Sequence, residues 1–194
     1  MNKTIDVYFD VGSPASYLAW TQLPTLAERN NASINWKPIL LGGVFKATGN
    51  QSPITIPAKG RYTAIDLMRF AKKYDVKFEF NPHFPINTLQ LMRGATGYLQ
   101  SPRFGDYLTA IFTALWVDKK NLNDLEVVSQ VLTDAGFDPV EVLELSNTPE
   151  VKEQLKKTTE EAVSRGVFGA PTCFVASEMF FGQDRLDWVE RALL

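Results

Sequence analysis

Alternating apolar and polar positions predict strands near both ends of the chain, with helices between them. The segment Thr4–Asp10 alternates in this way and predicts a buried strand. A glycine interrupts it, and Ser13-Pro14 then places a capping serine before a first-turn proline, so we expect a helix that runs to about Asn30. A second short strand is predicted over Ser33–Lys37. Strand, helix and strand in this order form a right-handed parallel crossover.

The middle of the chain has a helical pattern. Residues Gly42–Pro57 are rich in glycine, proline and polar side chains, and no helix is predicted there. Beyond them, apolar side chains recur at three-to-four spacing, which is typical of helices. The predicted helices are Ala58–Tyr74, Asn87–Gln100, Ser101–Val117, Asp124–Ala135, Asp138–Ser146 and Thr148–Gly166.

The pattern returns to strands after Gly169. Residues Thr172–Val175 and Met179–Phe181 predict a hairpin, and Asp184 is placed to cap a terminal helix. The order of elements predicts an α/β chain with a thioredoxin-like fold, split by a large all-helical insertion. We expect a thioredoxin-like domain from residues 1–44 and 158–194, and an inserted helical domain from residues 45–157.

The composition of the 194 residues excludes several classes of protein. Twenty basic against 22 acidic residues leave a net charge of −2, without the basic excess of a phosphate-backbone binder. One cysteine excludes an intramolecular dithiol couple. One histidine excludes a site with several histidine ligands and leaves only carboxylate-rich metal sites possible, and no metal ligand is predicted. The opening Met1–Asp6 has no apolar signal region, and no apolar run approaches the ~20 residues of a membrane span. We expect a cytoplasmic enzyme that binds neither nucleic acid nor membranes.

The first candidate for chemistry is the tetrapeptide Ser13-Pro14-Ala15-Ser16, at the junction of the first strand and the first helix. Thioredoxin-like proteins keep Cys-x-x-Cys at this place. A helix N-terminus supplies unpaired N–H groups and a positive dipole end, which stabilise an anion such as a thiolate. Because serine replaces cysteine, the sulfur must come from another molecule. The alternative is that Ser13 only caps the helix.

The second candidate is Pro171, at the entrance of a predicted strand. The topology places it opposite Ser13, where thioredoxin folds hold a cis bond, and we expect the Ala170–Pro171 bond to be cis. The N–H and C=O groups of Ala170 would then be open to an extended peptide.

The remaining candidates have plain structural alternatives. Gln183 and Asp184 are suited to bind an α-amino acid head group, but Asp184 could equally be a helix cap. Asn50 is by default a turn residue and Lys59 a solvated lysine. Cys173, in a central strand, is interpreted as an inert buried thiol.

Several segments taken together resemble the 2-hydroxychromene-2-carboxylate isomerases, a family in the kappa-class glutathione transferase group of the DsbA-like thioredoxin superfamily. The resemblance covers essentially the whole chain. It rests on Phe9–Ala19, Leu40–Asn50, Ile56–Lys59, Phe84–Thr88, Gly166–Thr172 and Phe181–Leu186.

The resemblance implies that glutathione is the cofactor and that Ser13 is the catalytic residue that contacts its sulfur. Lys59 is suited to the glycyl carboxylate, and Asp184 to the ammonium of the γ-glutamyl head group. The resemblance also implies a homodimer. The glutathione-binding residues that it implies are Ser13, Asn50, Lys59, Ala170, Pro171, Gln183 and Asp184.

The implied reaction converts 2-hydroxychromene-2-carboxylate into trans-o-hydroxybenzylidenepyruvate in aromatic (naphthalene-type) catabolism, by reversible addition of the glutathione thiolate. A free thiol has a pKa of about 8.5 and is mostly protonated at neutral pH, so the helix end and the Ser13 hydroxyl must lower that pKa. One alternative is a kappa-class glutathione transferase or peroxidase. Another is a non-catalytic thioredoxin relative that binds glutathione or peptides.

Overall fold

The first strand, helix and strand form the unit that the sequence predicts. The computed structural model describes residues 3–194; Met1 and Asn2, which open the predicted N-terminal segment, lie outside the described residues. Strand β1 spans Lys3–Phe9, helix α1 Pro14–Arg29 and strand β2 Ala32–Pro38. The two strands pair in parallel. The parallel arrangement is therefore confirmed.

Helices fill the chain between β2 and the next strand. They are α2 (Leu41–Thr48), α3 (Pro57–Lys73), α4 (Leu89–Gly97), α5 (Phe104–Trp116), α6 (Leu125–Asp134), α7 (Pro139–Asn147) and α8 (Pro149–Ser164). The chain then forms β3 (Thr172–Val175), β4 (Glu178–Phe181) and α9 (Leu186–Ala192).

The strands form one four-stranded sheet in the order β2-β1-β3-β4. Strand β3 runs antiparallel to β1, and β4 antiparallel to β3. Within residues 3–194 the strands come only from the two ends of the chain. The predicted fold class, a thioredoxin-like fold split by helices, is confirmed. The division into residues 1–44 with 158–194 and residues 45–157 stays a prediction.

Helix α2 lies in the glycine-rich segment, where no helix was predicted, so that prediction is wrong. Its first turn lacks a side-chain cap from the preceding residue, but the carboxylate of Asp10 accepts a hydrogen bond from Leu41 N at 2.8 Å. The helix buries Val44 and ends at Gly49, whose φ of 73° is the left-handed conformation that favours glycine. A partner distant in sequence therefore stabilises a helix that local propensity disfavours.

The start of α9 is a second correction, because Asp184 does not cap it. Residues Gln183–Arg185 form a 3₁₀ turn before the helix, and the residue at the N-cap position is Arg185, without a side-chain cap bond. The carboxylate of Asp184 instead lies 2.6 Å from the guanidinium of Arg185. The interpretation of Asp184 as a helix cap is wrong, because the intervening turn moves it away from the helix end.

Buried side chains converge on the loop between β1 and α1. One face of the sheet packs on α1 and α9, and the other packs on α2 and α8 around Tyr8 and Phe174. Helices α3 to α6 form a further cluster around Trp116, and this cluster includes Phe9 and Val11 from the end of β1. The loop that follows β1 is thus held between the sheet and the central helices.

No helix among residues 3–194 combines the length and the apolar character that a membrane crossing requires.

Candidate active site

Ser13 caps α1, as the sequence predicts. Its backbone is extended, with φ −92° and ψ 114°, and its Oγ accepts a hydrogen bond from Ser16 N at 3.1 Å. Its carbonyl accepts the first helical bond, from Tyr17 N at 3.1 Å. Pro14 has no N–H, and the N–H of Ala15 has no hydrogen-bond partner among the described residues. The end of α1 therefore keeps an unused backbone donor beside the Ser13 hydroxyl.

The Ala170–Pro171 peptide bond is cis and lies against Ser13, which confirms both predictions about this bond. The Ser13 hydroxyl donates a hydrogen bond to Ala170 O at 2.8 Å. Ser13 is 5% exposed and Ala170 8% exposed, while the Ala170 N–H has no partner within residues 3–194. A serine hydroxyl has one proton. The Ser13 proton must turn away from the Ala170 carbonyl before the hydroxyl can donate to any other acceptor.

The buried carboxylate of Asp10 shapes the loop that carries Ser13. It accepts hydrogen bonds from Gly12 N at 2.9 Å, from Leu41 N at 2.8 Å and from Thr88 Oγ1 at 3.1 Å. Burial raises the pKa of this carboxyl, while the three donors act in the opposite direction. A Cβ on Gly12 would lie 2.7 Å from Thr88 Cγ2, so only glycine fits this close approach.

Helices α4 and α5 hold the residue before this glycine. The Trp116 indole donates from Nε1 to Val11 O at 2.8 Å, and Val11 N donates to Met92 Sδ at 3.3 Å. Trp116, Met92 and Val11 are all fully buried. The central helices therefore orient the loop on which the end of α1 is built.

Asn50 lies beside the strand entrance at Pro171. Its side-chain amide donates to Phe168 O at 2.7 Å, and the Phe168 ring contacts the Phe181 ring with centroids 4.6 Å apart. The next residue, Gly182, donates from its N–H to Pro171 O at 2.9 Å. These contacts join Asn50, Pro171 and the segment before Gln183 in one region of the surface.

Gln183 and Asp184, the residues predicted to bind an α-amino acid head group, come directly after Gly182 in the chain. Gln183 is 8% exposed; its carbonyl accepts a hydrogen bond from the Tyr74 hydroxyl at 2.5 Å, and its side-chain amide has no hydrogen-bond partner in the described part of the chain. The carboxylate of Asp184 is partly exposed and pairs with Arg185. An unpaired amide beside a carboxylate is suited to an α-amino acid group.

Lys59 is the predicted binding residue on α3. It lies in the first turn of α3 and is exposed. No hydrogen bond or ion pair between described residues joins it to the rest of the predicted site. Its proposed role toward a carboxylate therefore depends on its charge alone.

The Cys173 thiol is not available for chemistry at this site. It is 2% exposed on β3, and burial raises its pKa to about 12. The thiol is therefore protonated at neutral pH, in agreement with its interpretation as inert.

Several residues that shape the site were missed by the sequence analysis. Asp10 was assigned to the polar side of the first strand, and Thr88, Met92 and Trp116 to helices or loops without a special role. An acidic residue at the buried end of a strand, before a glycine, is a signal that could have identified Asp10. Thr88 and Asp10 are 78 positions apart in the sequence, and no local sequence pattern indicates a contact between residues so widely separated.

Comparison with known proteins identifies the family of the chain. The family model described as "DSBA-like thioredoxin domain" matches residues 4–194. The chain is 36% identical over 200 residues to a 2-hydroxychromene-2-carboxylate isomerase of Sphingobium xenophagum, and the match covers 100% of both chains. It is 29% identical to human glutathione S-transferase kappa 1, over 98% of this chain and 91% of that protein.

A solved structure shares the whole fold. The selenomethionine form of a 2-hydroxychromene-2-carboxylate isomerase (HCCA isomerase) superposes with a TM-score of 0.87 and 29% identity, over 98% of this chain and 94% of that one. The family predicted from the sequence is confirmed. The chain belongs to the DsbA-like thioredoxin family and, within it, to the enzymes of the 2-hydroxychromene-2-carboxylate isomerase group, with the kappa-class glutathione transferases as a related branch.

Proposed function

We propose that this enzyme is a glutathione-dependent isomerase that interconverts 2-hydroxychromene-2-carboxylate and trans-o-hydroxybenzylidenepyruvate in aromatic (naphthalene-type) catabolism. The observation that carries the proposal is the Ser13 hydroxyl at the end of α1, 2.8 Å from Ala170 O, with the N–H groups of Ala15 and Ala170 unused beside it. Cys173 is the single cysteine of the chain, so a thiol at the end of α1 would have to come from another molecule.

The residues present fit glutathione. Unused backbone donors beside the cis proline suit the main chain of an extended peptide. Bound there, glutathione would supply a nucleophilic thiolate that adds reversibly to the conjugated substrate and is recovered in each turnover.

Ser13 would stabilise the ionised sulfur by redirecting the hydrogen bond that its hydroxyl donates. The hydroxyl turns from Ala170 O toward the sulfur, so a neutral hydrogen bond of about 1 kcal/mol is exchanged for a charge-assisted bond of about 1.5–3 kcal/mol. The difference lowers the pKa of the thiol by about one unit. The free N–H of Ala15 and the dipole of α1 act in the same direction.

The polar ends of the tripeptide would be held by separate groups. We assign the γ-glutamyl head group to Gln183 and Asp184, and the peptide backbone to Ala170 beside Pro171. Asn50 and Lys59 would contact the polar ends of the tripeptide, with Lys59 suited to the glycyl carboxylate. The unpaired amide of Gln183 and the partly exposed carboxylate of Asp184 support the first assignment. The ion pair between Asp184 and Arg185 must share its carboxylate with the incoming ammonium.

The deciding experiment measures product and glutathione together. Purified protein is incubated with 2-hydroxychromene-2-carboxylate and a substoichiometric amount of glutathione, and chromatography follows both. We expect the substrate to reach its equilibrium mixture with the product, and the glutathione to be recovered unchanged. S-methylglutathione keeps the polar ends but lacks a free thiol, so it should bind and support no conversion.

Other outcomes identify the alternatives. A glutathione conjugate or oxidised glutathione would show a kappa-class transferase or peroxidase. Binding without turnover would show a non-catalytic glutathione- or peptide-binding protein. The proposal includes the homodimer that the family resemblance implies and the cytoplasmic location expected from the sequence. A monomer in analytical ultracentrifugation would contradict the homodimer.

A further inference from the structure

The hydroxyl of Ser16 is buried in the first turn of α1 without a hydrogen-bond partner. The residue is 2% exposed, and its Oγ is the buried side-chain polar atom that lacks a partner among the described residues. Leaving a hydroxyl in this state is unfavourable, and such groups are rare in folded proteins. If a ligand binds at the end of α1 and changes the hydrogen bonds there, the Ser16 hydroxyl could gain a partner, which would explain why a serine occupies this position.

The helical position of Ser16 allows its side chain to turn toward Ser13. Cα–Cβ bonds in a helix tilt toward the N-terminus, and residues three apart share a face. A side chain at this third helical position can reach back to the capping residue, as it does in a capping box. The backbone N of Ser16 lies 3.1 Å from Ser13 Oγ, whereas the Ser16 hydroxyl makes no hydrogen bond to it, so that bond would form by rotation of the Ser16 side chain.

Ser13 Oγ has room for one more donor. A hydroxyl oxygen accepts two hydrogen bonds, and one of these sites is taken by Ser16 N. Ser13 donates its own proton to Ala170 O. A hydroxyl that accepts a further bond becomes a better donor, because linked hydrogen bonds polarise one another.

We propose that Ser16 is a positioning residue that acts through Ser13. When the Ser13 proton turns from Ala170 O to the sulfur of glutathione, the Ser16 hydroxyl donates to Ser13 Oγ. Only hydrogen bonds are rearranged in this step, and no covalent bond forms or breaks. The inference rests on the proposed function and assigns a role to a residue outside the predicted binding set. Because Ser16 Oγ is buried, it acts through the Ser13 hydroxyl and does not contact the sulfur itself.

The test is the ultraviolet titration of the bound thiol in wild type and Ser16→Ala. We expect the substitution to raise the pKa of bound glutathione by about half a unit to one unit, a three- to tenfold loss of thiolate below that pKa. The midpoint of thermal unfolding should not fall, because the hydroxyl has no partner to lose in the free protein. An unchanged pKa beside a wild type that binds glutathione would overturn the inference and leave the proposed function standing.

Ser146→Ala is the matched control. Ser146 is also 2% exposed, but its hydroxyl donates to Val142 O at 2.7 Å at the far end of α7. This variant should lower the unfolding midpoint and leave the thiol pKa unchanged. A wild type that does not bind glutathione would overturn the proposed function, and this inference with it.

The double variant Ser13→Ala/Ser16→Ala shows whether Ser16 acts through Ser13. If it does, Ser16→Ala has no effect on the thiol pKa once the Ser13 hydroxyl is gone, so the two shifts do not add. Additive shifts would mean that Ser16 contacts the sulfur directly, and would contradict the proposed route.

Discussion

Replacement of Ser13 by alanine tests the centre of the proposed site. The substitution removes the hydroxyl that accepts from Ser16 N and donates to Ala170 O. Loss of a helix cap costs about 1 kcal/mol, and loss of the second hydrogen bond about 1 kcal/mol more. The free energy of unfolding should therefore fall by about 2 kcal/mol, which lowers the melting temperature by about 4–8 °C in a chain of this size.

The effect on the bound thiol is a separate quantity. Ionisation of the sulfur in the wild type exchanges a neutral bond to Ala170 O for a charge-assisted bond, and the variant makes neither. The pKa of bound glutathione should rise by about one unit in Ser13→Ala. Turnover at neutral pH should fall by up to about tenfold and recover as the pH rises toward the new pKa. Glutathione affinity should change little, because the proposed contacts to its polar ends remain.

Thr148→Ala provides the matched control for the structural part. Thr148 caps α8 in front of Pro149, as Ser13 caps α1 in front of Pro14. Its hydroxyl also accepts from a first-turn N–H, at 3.4 Å, and donates to a carbonyl, at 3.0 Å. This variant should lose similar stability and keep the wild-type titration of the thiol. Superimposable titrations for wild type and Ser13→Ala, with equal turnover, would show that Ser13 is only a helix cap.

Three further substitutions or reactions test other parts of the site. Trp116→Phe keeps an aromatic ring in a smaller side chain and leaves Val11 O without its donor at 2.8 Å. Chemical denaturation should show a fall of at least about 1–3 kcal/mol in the free energy of unfolding, and the thiol pKa should rise because the loop before Ser13 loosens. Equal stability would contradict the assigned hydrogen bond. Asp184→Ala should weaken glutathione binding by about 1–3 kcal/mol in calorimetry if the ammonium is desolvated there, and unchanged affinity would remove Asp184 from the binding set. Cys173, whose pKa burial raises to about 12, should resist alkylation at neutral pH in the native protein and react after denaturation, as mass spectrometry can show. Rapid modification of the native protein would show that the thiol is accessible.

The sequence by itself determined the elements that depend on local pattern. Strand β1 was predicted by alternation, and Ser13-Pro14 predicted the start of α1 because a capping serine and a first-turn proline act within one helical turn. The order of strands and helices placed Pro171 opposite Ser13, where thioredoxin folds hold a cis bond, and the cis bond was predicted from that fold. The strand and the helix start are local signals, whereas this one depends on the whole order of elements.

Only the tertiary structure decided the features that need partners from distant parts of the chain. Helix α2 forms where propensity disfavours it, because Asp10 satisfies its first turn. The indole of Trp116 meets Val11 across 105 positions, and the Ser13 proton is held by Ala170 across 157. A hydrogen bond between residues so far apart forms only after the chain has folded, and no local pattern encodes it. The sequence thus predicted which helix end would bind a thiolate, while folding determined which groups hold that helix end and where the Ser13 proton lies.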